Sequence, residues 1–141
     1  MSEYELLDLL ASNYQKIDGL WNFFISIHLA ILGALFLMPR RVSTPERLVA
    51  FGAYAAFMYV NRSAMLDSYD YHLALSKEAA RLAVTPAQTG GLLVQQIAHF
   101  DLASKIAFVP YAHFAAGAVV AFAVLFANSL ARRPDPGTEL D

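Results

Sequence analysis

The 141-residue chain contains no cysteine. Disulfides, thiolate-bound metals, iron–sulfur clusters and a cysteine nucleophile are therefore excluded. Charge is also scarce, at 16% of residues, where soluble domains carry about 25%. The net charge is −2 and no basic run occurs, so the chain lacks the concentrated positive surface by which proteins release counterions from nucleic acid. No nucleic-acid partner is expected. Glycine-rich phosphate loops, a nucleophile elbow and paired acidic motifs are missing as well, so no conventional enzyme is indicated. The opening stretch "MSEYELLDLLASNYQKID" has no basic segment of the kind that precedes a cleaved signal, and the first hydrophobic span is expected to be retained.

What the chain has instead is apolar length: 57% of its residues are hydrophobic. Leu20–Met38, Leu48–Val60 and Ile106–Leu130 each approach the roughly 17 to 25 apolar residues that cross about 30 Å of hydrocarbon. The middle span is the shortest, with fourteen uncharged residues between Arg47 and Arg62. Those arginines can snorkel to the interfaces. The expected fold class is an all-α, polytopic integral membrane protein with three transmembrane helices and helical extensions that form a small extramembrane module. Orientation follows from basic residues near the span ends. Arg40, Arg41 and Arg47 follow the first span and Arg132 and Arg133 the third, whereas the N-terminal segment has only Lys16 against four acidic residues. The C-terminus is expected on the cytoplasmic side of a plasma or inner membrane, with the N-terminus outside.

Local signals divide the chain further. Ser2 and Glu5 have the spacing of a capping box, and Leu6, Leu7, Leu10, Tyr14 and Ile17 recur at helical spacing. Residues 1–19 are read as an amphipathic outer helix that runs into the first membrane helix, 20–38, with Gly19 as the only breaker and Pro39 as the stop. Thr44, Pro45 and Glu46 read as N-cap, first helical position and first-turn acid of a long helix, 44–84, that carries the second span and an outer extension. "TPAQTGG" turns the chain. A short return helix over 90–104, the third span over 105–131 with Pro110 as a potential kink, and a polar tail over 132–141 complete the expectation.

Four histidines are the chemistry-bearing residues. His28 lies about seven residues past Trp21, His113 about eight past Lys105 and Tyr54 eight in from Arg62, which puts all three roughly 10 to 12 Å into the hydrocarbon from one side. Ionisable groups at that depth raise a functional hypothesis. His28 and His113 could ligate haem b axially or pass protons with Tyr54, while the ordinary role is a hydrogen bond to a neighbouring helix. No cofactor is required by the pattern, and haem b is the one it could hold. Outside the spans, His72, His99 and Asp101 offer imidazole and carboxylate ligands for a divalent metal. The spacing fits no metal motif, since His99 and Asp101, two apart, fall on opposite sides of a helix.

Small and polar residues mark packing faces. Tyr54, Met58, Asn61, Met65, Ser68, His72, Leu75 and Ala79 alternate steps of three and four, the spacing of a helix-packing seam. Asn22, Ser26, Ala30 and Gly33 make a small-residue stripe on the first span, and the pairs Gly52/Ala56 and Gly117/Ala121 allow close helix approach. Three functional expectations follow. The first is a homo-oligomeric, channel-like assembly in the bilayer, using Asn22, Ser26, Gly33, Tyr54, Asn61, His72, Gly117 and Ala121 as oligomer or pore-lining residues. The others are a non-catalytic accessory or scaffold subunit of a larger membrane complex, and a haem-b electron-transfer subunit.

Overall fold

The computed structural model describes residues 2–37, 42–83 and 102–126. They form three helices, α1 (Glu3–Leu37), α2 (Thr44–Ala83) and α3 (Leu102–Leu125), and no strand occurs among the described residues. At 1.5 Å per residue, α1 and α2 are about 50 and 60 Å long. The return helix expected over 90–104 lies, up to residue 101, outside the described residues, as do Pro39 and the tail.

Both long helices begin with reciprocal caps. The Ser2 amide donates to Glu5 Oε2 at 2.7 Å and the Glu5 amide donates to Ser2 Oγ at 3.2 Å, which satisfies two of the amides a helix start leaves without partners. The N-cap of α2 is Ser43 rather than Thr44. Its amide and hydroxyl donate to Glu46 Oε2, each at 2.9 Å, the Glu46 amide donates back to Ser43 Oγ at 3.4 Å, and the Arg47 amide donates to the Ser43 carbonyl. The S-x-x-E interval selects Ser43, because Glu46 stands three residues from it and two from Thr44.

The helices pack in three apolar clusters, and in each of them α2 is a wall. Leu6 and Leu10 meet Leu75 and Ala79. Further along, Ile17, Met65, Tyr69, Leu102 and Val109 converge. At the other end Tyr54, Val120 and Val124 pack with Ile31, Leu32 and Leu35. As residue numbers rise on α1 and α3 they fall on α2, so α2 runs antiparallel to both. Arg47 of α2 closes the far end by donating from Nη1 to the Leu125 carbonyl at 2.9 Å, a cation placed at the negative end of the α3 dipole.

Two helices, α1 and α3, are long and apolar enough to cross a membrane. α2 is not, because the apolar stretch between Arg47 and Arg62 is short. The surface follows the same division: Leu29, Phe36, Phe114 and Tyr111 are all more than three-fifths exposed, while Asn13, His28, Asn61, Ser68, His72 and His113 are buried. Apolar outside and polar within is the arrangement suited to a hydrocarbon solvent, where backbone and side-chain polar groups must find partners in the protein.

The inward face of α1 is Leu6, Leu10, Asn13, Ile17, Phe24 and His28. Asn13, not Tyr14, completes the stripe, and Tyr14 is half exposed. The small residues Asn22, Ser26 and Ala30 turn outward with Gly33 beside them. On α3, Gly117 faces α2, where an added Cβ would lie 3.2 Å from Met58 Cε; at Gly52 and Gly33 an added Cβ would meet nothing within 4 Å.

Candidate functional site

The buried polar residues form a ladder along α2. Asn13 Nδ2 donates to the Ser68 carbonyl at 2.9 Å and stands 3.3 Å from His72 Nδ1. Trp21 Nε1 donates to Tyr69 Oη at 3.1 Å. Asn61 Nδ2 donates to the Leu20 carbonyl at 3.4 Å, and its Oδ1 lies 3.0 Å from His113 Nε2. Tyr54 Oη lies 2.7 Å from His28 Nε2. Each of these rungs joins α2 to α1 or α3, so the seam read on α2 is the interface inside the protomer.

His28 and His113 are held alike. His28 Nδ1 donates to the Phe24 carbonyl at 2.6 Å and His113 Nδ1 donates to the Val109 carbonyl at 2.9 Å, each one turn back on its own helix. A carbonyl only accepts, so both Nδ1 atoms carry protons and both Nε2 atoms face the neighbouring helix. A neutral His28 then accepts the Tyr54 hydroxyl proton. For His113, Oδ1 of Asn61 toward the ring requires a proton on Nε2 too, and turning the amide end for end to suit a neutral ring would set Oδ1 against the Leu20 carbonyl.

His28, Tyr54 and His113 do occupy one layer, but Phe24 is inserted in it. Its ring centroid is 4.1 Å from that of His28 and 4.3 Å from that of His113. A porphyrin ligated by both histidines would need that space and both Nε2 atoms, so the residues as arranged do not fit haem. Tyr54, Asn61 and His72, expected as oligomer or pore-lining residues, are each buried and bonded within the chain. Gly117 and Ala121 belong to α3, with Gly117 turned to α2, and Asn22, Ser26 and Gly33 lie apart from the ladder on the opposite face of α1. Of the suggested metal ligands, His99 and Asp101 lie outside the described residues; among the described residues no three His, Asp or Glu side chains come together.

Sequence reasoning passed over Asn13, Trp21 and Tyr69. Asn13 carried a signal, a polar residue at the i+3 position of the stripe begun by Leu6 and Leu10. Trp21 and Tyr69 carried none, since their pairing depends on how α1 and α2 are aligned.

His72 makes the upper rung sensitive to pH. Burial first, and then the Lys105 ammonium, hold its imidazole below the ordinary histidine pKa, and Tyr14, Asp18 and Tyr69 are its other neighbours in the adjoining cavity. The bond from Asn13 needs a bare Nδ1. A base with a lowered folded-state pKa stabilises the fold above its unfolded value near 6.5, and that contribution is lost as pH falls from there through the folded value. Thermal melts in detergent at several pH values are expected to show a loss below pH 6.5 that is smaller in His72→Gln. Equal pH dependence in the two proteins would remove His72 as its source.

No family model matches the chain, and no curated protein or solved structure matches it either. Function therefore rests on side chains and surfaces.

Proposed function

We propose that this chain is an integral membrane protein with three spans, and that it works as the repeating subunit of a membrane assembly built from copies of itself. The second span is supported by packing: residues 48–60 of α2 lie beside the two apolar helices, so a membrane crossed by α1 and α3 is crossed by α2. The basic residues at 40, 41, 47, 132 and 133 favour a cytoplasmic C-terminus and an N-terminus outside.

The observation that carries self-assembly is the contrast between two exposed faces. α3 turns large side chains outward, among them Phe108, Tyr111, Phe114 and Phe122, a surface suited to lipid chains. The outward face of α1 has Asn22, Ser26, Ala30 and Gly33 in line, flanked by the exposed side chains of Phe23, Ile25 and Leu29. Small residues in a row gain little from lipid but let a second helix backbone come close, where packing and side-chain hydrogen bonds hold helices together. With the α2 seam used up inside the protomer, the assembly is structural, and no central path through the protomer is proposed.

The absence of cysteine makes the test clean. Oxidative cross-linking of Ser26→Cys in native membranes is expected to give a covalent dimer, and Val119→Cys on the lipid-facing side of α3 is expected to stay monomeric. Monomer from both variants, with another membrane protein co-purifying in fixed ratio, would favour the accessory-subunit reading instead.

A further inference from the structure

A cavity of about 340 Å³ opens between the three helices at the level of Tyr14 to Trp21. Ile17, Tyr69, His72 and Leu102 line it and are all buried, so they form its floor. Tyr14, Asp18, Lys105 and Phe108 line it and are exposed, so they form its rim, and Trp21 stands between. Apolar and aromatic walls with a few convergent polar groups are the usual make-up of a small-molecule site, and the volume is near the lower end of the roughly 300 to 1,000 Å³ range.

The polar groups on the floor are donors. His72 Nδ1 takes the Asn13 amide proton, so the neutral ring carries its own proton on Nε2, its remaining polar atom. Tyr69 Oη accepts from Trp21 Nε1, and its hydroxyl proton has no acceptor among the described residues. The Lys105 ammonium adds positive charge above them. Across the rim, Asp18 follows Tyr14 by one helical turn and precedes Trp21 by three residues, so a carboxylate and two aromatic faces lie on one side of α1. Donors with a cation on one side and a carboxylate with aromatic rings on the other fit the two ends of a zwitterion.

We propose that this cavity binds a small zwitterion in which a phosphate or carboxylate is joined to an ammonium. The oxyanion accepts hydrogen bonds from His72 and Tyr69 beside Lys105, and the ammonium sits at Asp18 against Tyr14 and Trp21. Two sources share this chemistry, the headgroup of a zwitterionic phospholipid and a free zwitterion in the surrounding water. Asp18 Oδ2 also accepts from Asn22 Nδ2 at 3.2 Å, which joins the rim to the small-residue face of α1.

Trp21 is the only tryptophan in the chain, so its emission reports on the cavity directly. Detergent-solubilised protein is titrated with glycerophosphoethanolamine and glycerophosphocholine, with glycerol phosphate and choline as single-charge controls. Protein reconstituted in phosphatidylethanolamine vesicles is compared with protein in phosphatidylglycerol vesicles. A saturable change with a soluble zwitterion, at a Kd of about 1 mM or tighter, supports the site with a free ligand. A difference seen only between the two vesicle types supports it with lipid as the source. In either case Asp18→Asn and Lys105→Gln, both at exposed positions and checked for unchanged helicity, are each expected to weaken binding about tenfold. No emission change with any probe, equal response to the single-charge controls, or an undiminished response in both Asp18→Asn and Lys105→Gln would overturn the proposal.

Discussion

Met65→Ala is expected to destabilise the bundle by about 2–5 kcal/mol. Met65 is completely buried, and its cluster takes residues from all three helices: Ile17, Tyr69, Leu102 and Val109. Met65, Ile17, Tyr69 and Leu102 lie beyond the apolar stretches of their helices, so part of the cost is transfer of the removed side-chain atoms to water. The rest is the dispersion energy forfeited around a cavity that three helices cannot collapse into. Met65→Leu keeps most of the volume and is expected to cost less than about 1.5 kcal/mol. Unfolding in mixed detergent micelles, followed by Trp21 emission because Trp21 packs against this cluster, measures both. A Met65→Ala protein as stable as the parent would mean that α1 and α3 do not close around α2 at this level.

How much of the fold and site could be read from the sequence depended on whether the controlling geometry was local. The α2 seam was legible from Tyr54 to Ala79 because steps of three and four register on one helix, whatever the seam packs against. The Ser2–Glu5 cap was legible for the same reason. α1 was harder. It has two uncharged faces along its apolar stretch, and without charge to mark the outside, hydropathy cannot say whether His28 or Ser26 points inward. Near its start the apolar count favoured Tyr14 over Asn13, yet Asn13 is the buried residue, because Ser68 and His72 supply partners that only the folded bundle provides. The cavity was invisible for a similar reason. Its floor and rim come from residues 14–21, 69–72 and 102–108, three segments with no motif in common.

The same dependence on partners governs the second large effect, at Asn61 and His113. Asn61→Leu strips His113 Nε2 of its neighbour and removes the tie from α2 to the Leu20 carbonyl. A made hydrogen bond between membrane helices contributes only about 0.6 kcal/mol on average, but a buried polar atom left without a partner costs about 1–3 kcal/mol. The single variants Asn61→Leu and His113→Leu should therefore each fall in that larger range, since each strands the other side chain. The double variant, with neither group left to strand, should be less destabilised than the sum of the two and no worse than either single variant. In a double-mutant cycle this appears as a coupling of about 1–3 kcal/mol. Additive losses would falsify the view that the two residues act as one unit, and would leave the His113 tie to its own Val109 carbonyl as the bond that matters. Strong coupling would mean that the polar rungs act through the penalty for mispairing rather than through the strength of each bond. That is how a bundle with little charge and an apolar exterior can prefer one alignment of its helices over the others that lipid would equally allow.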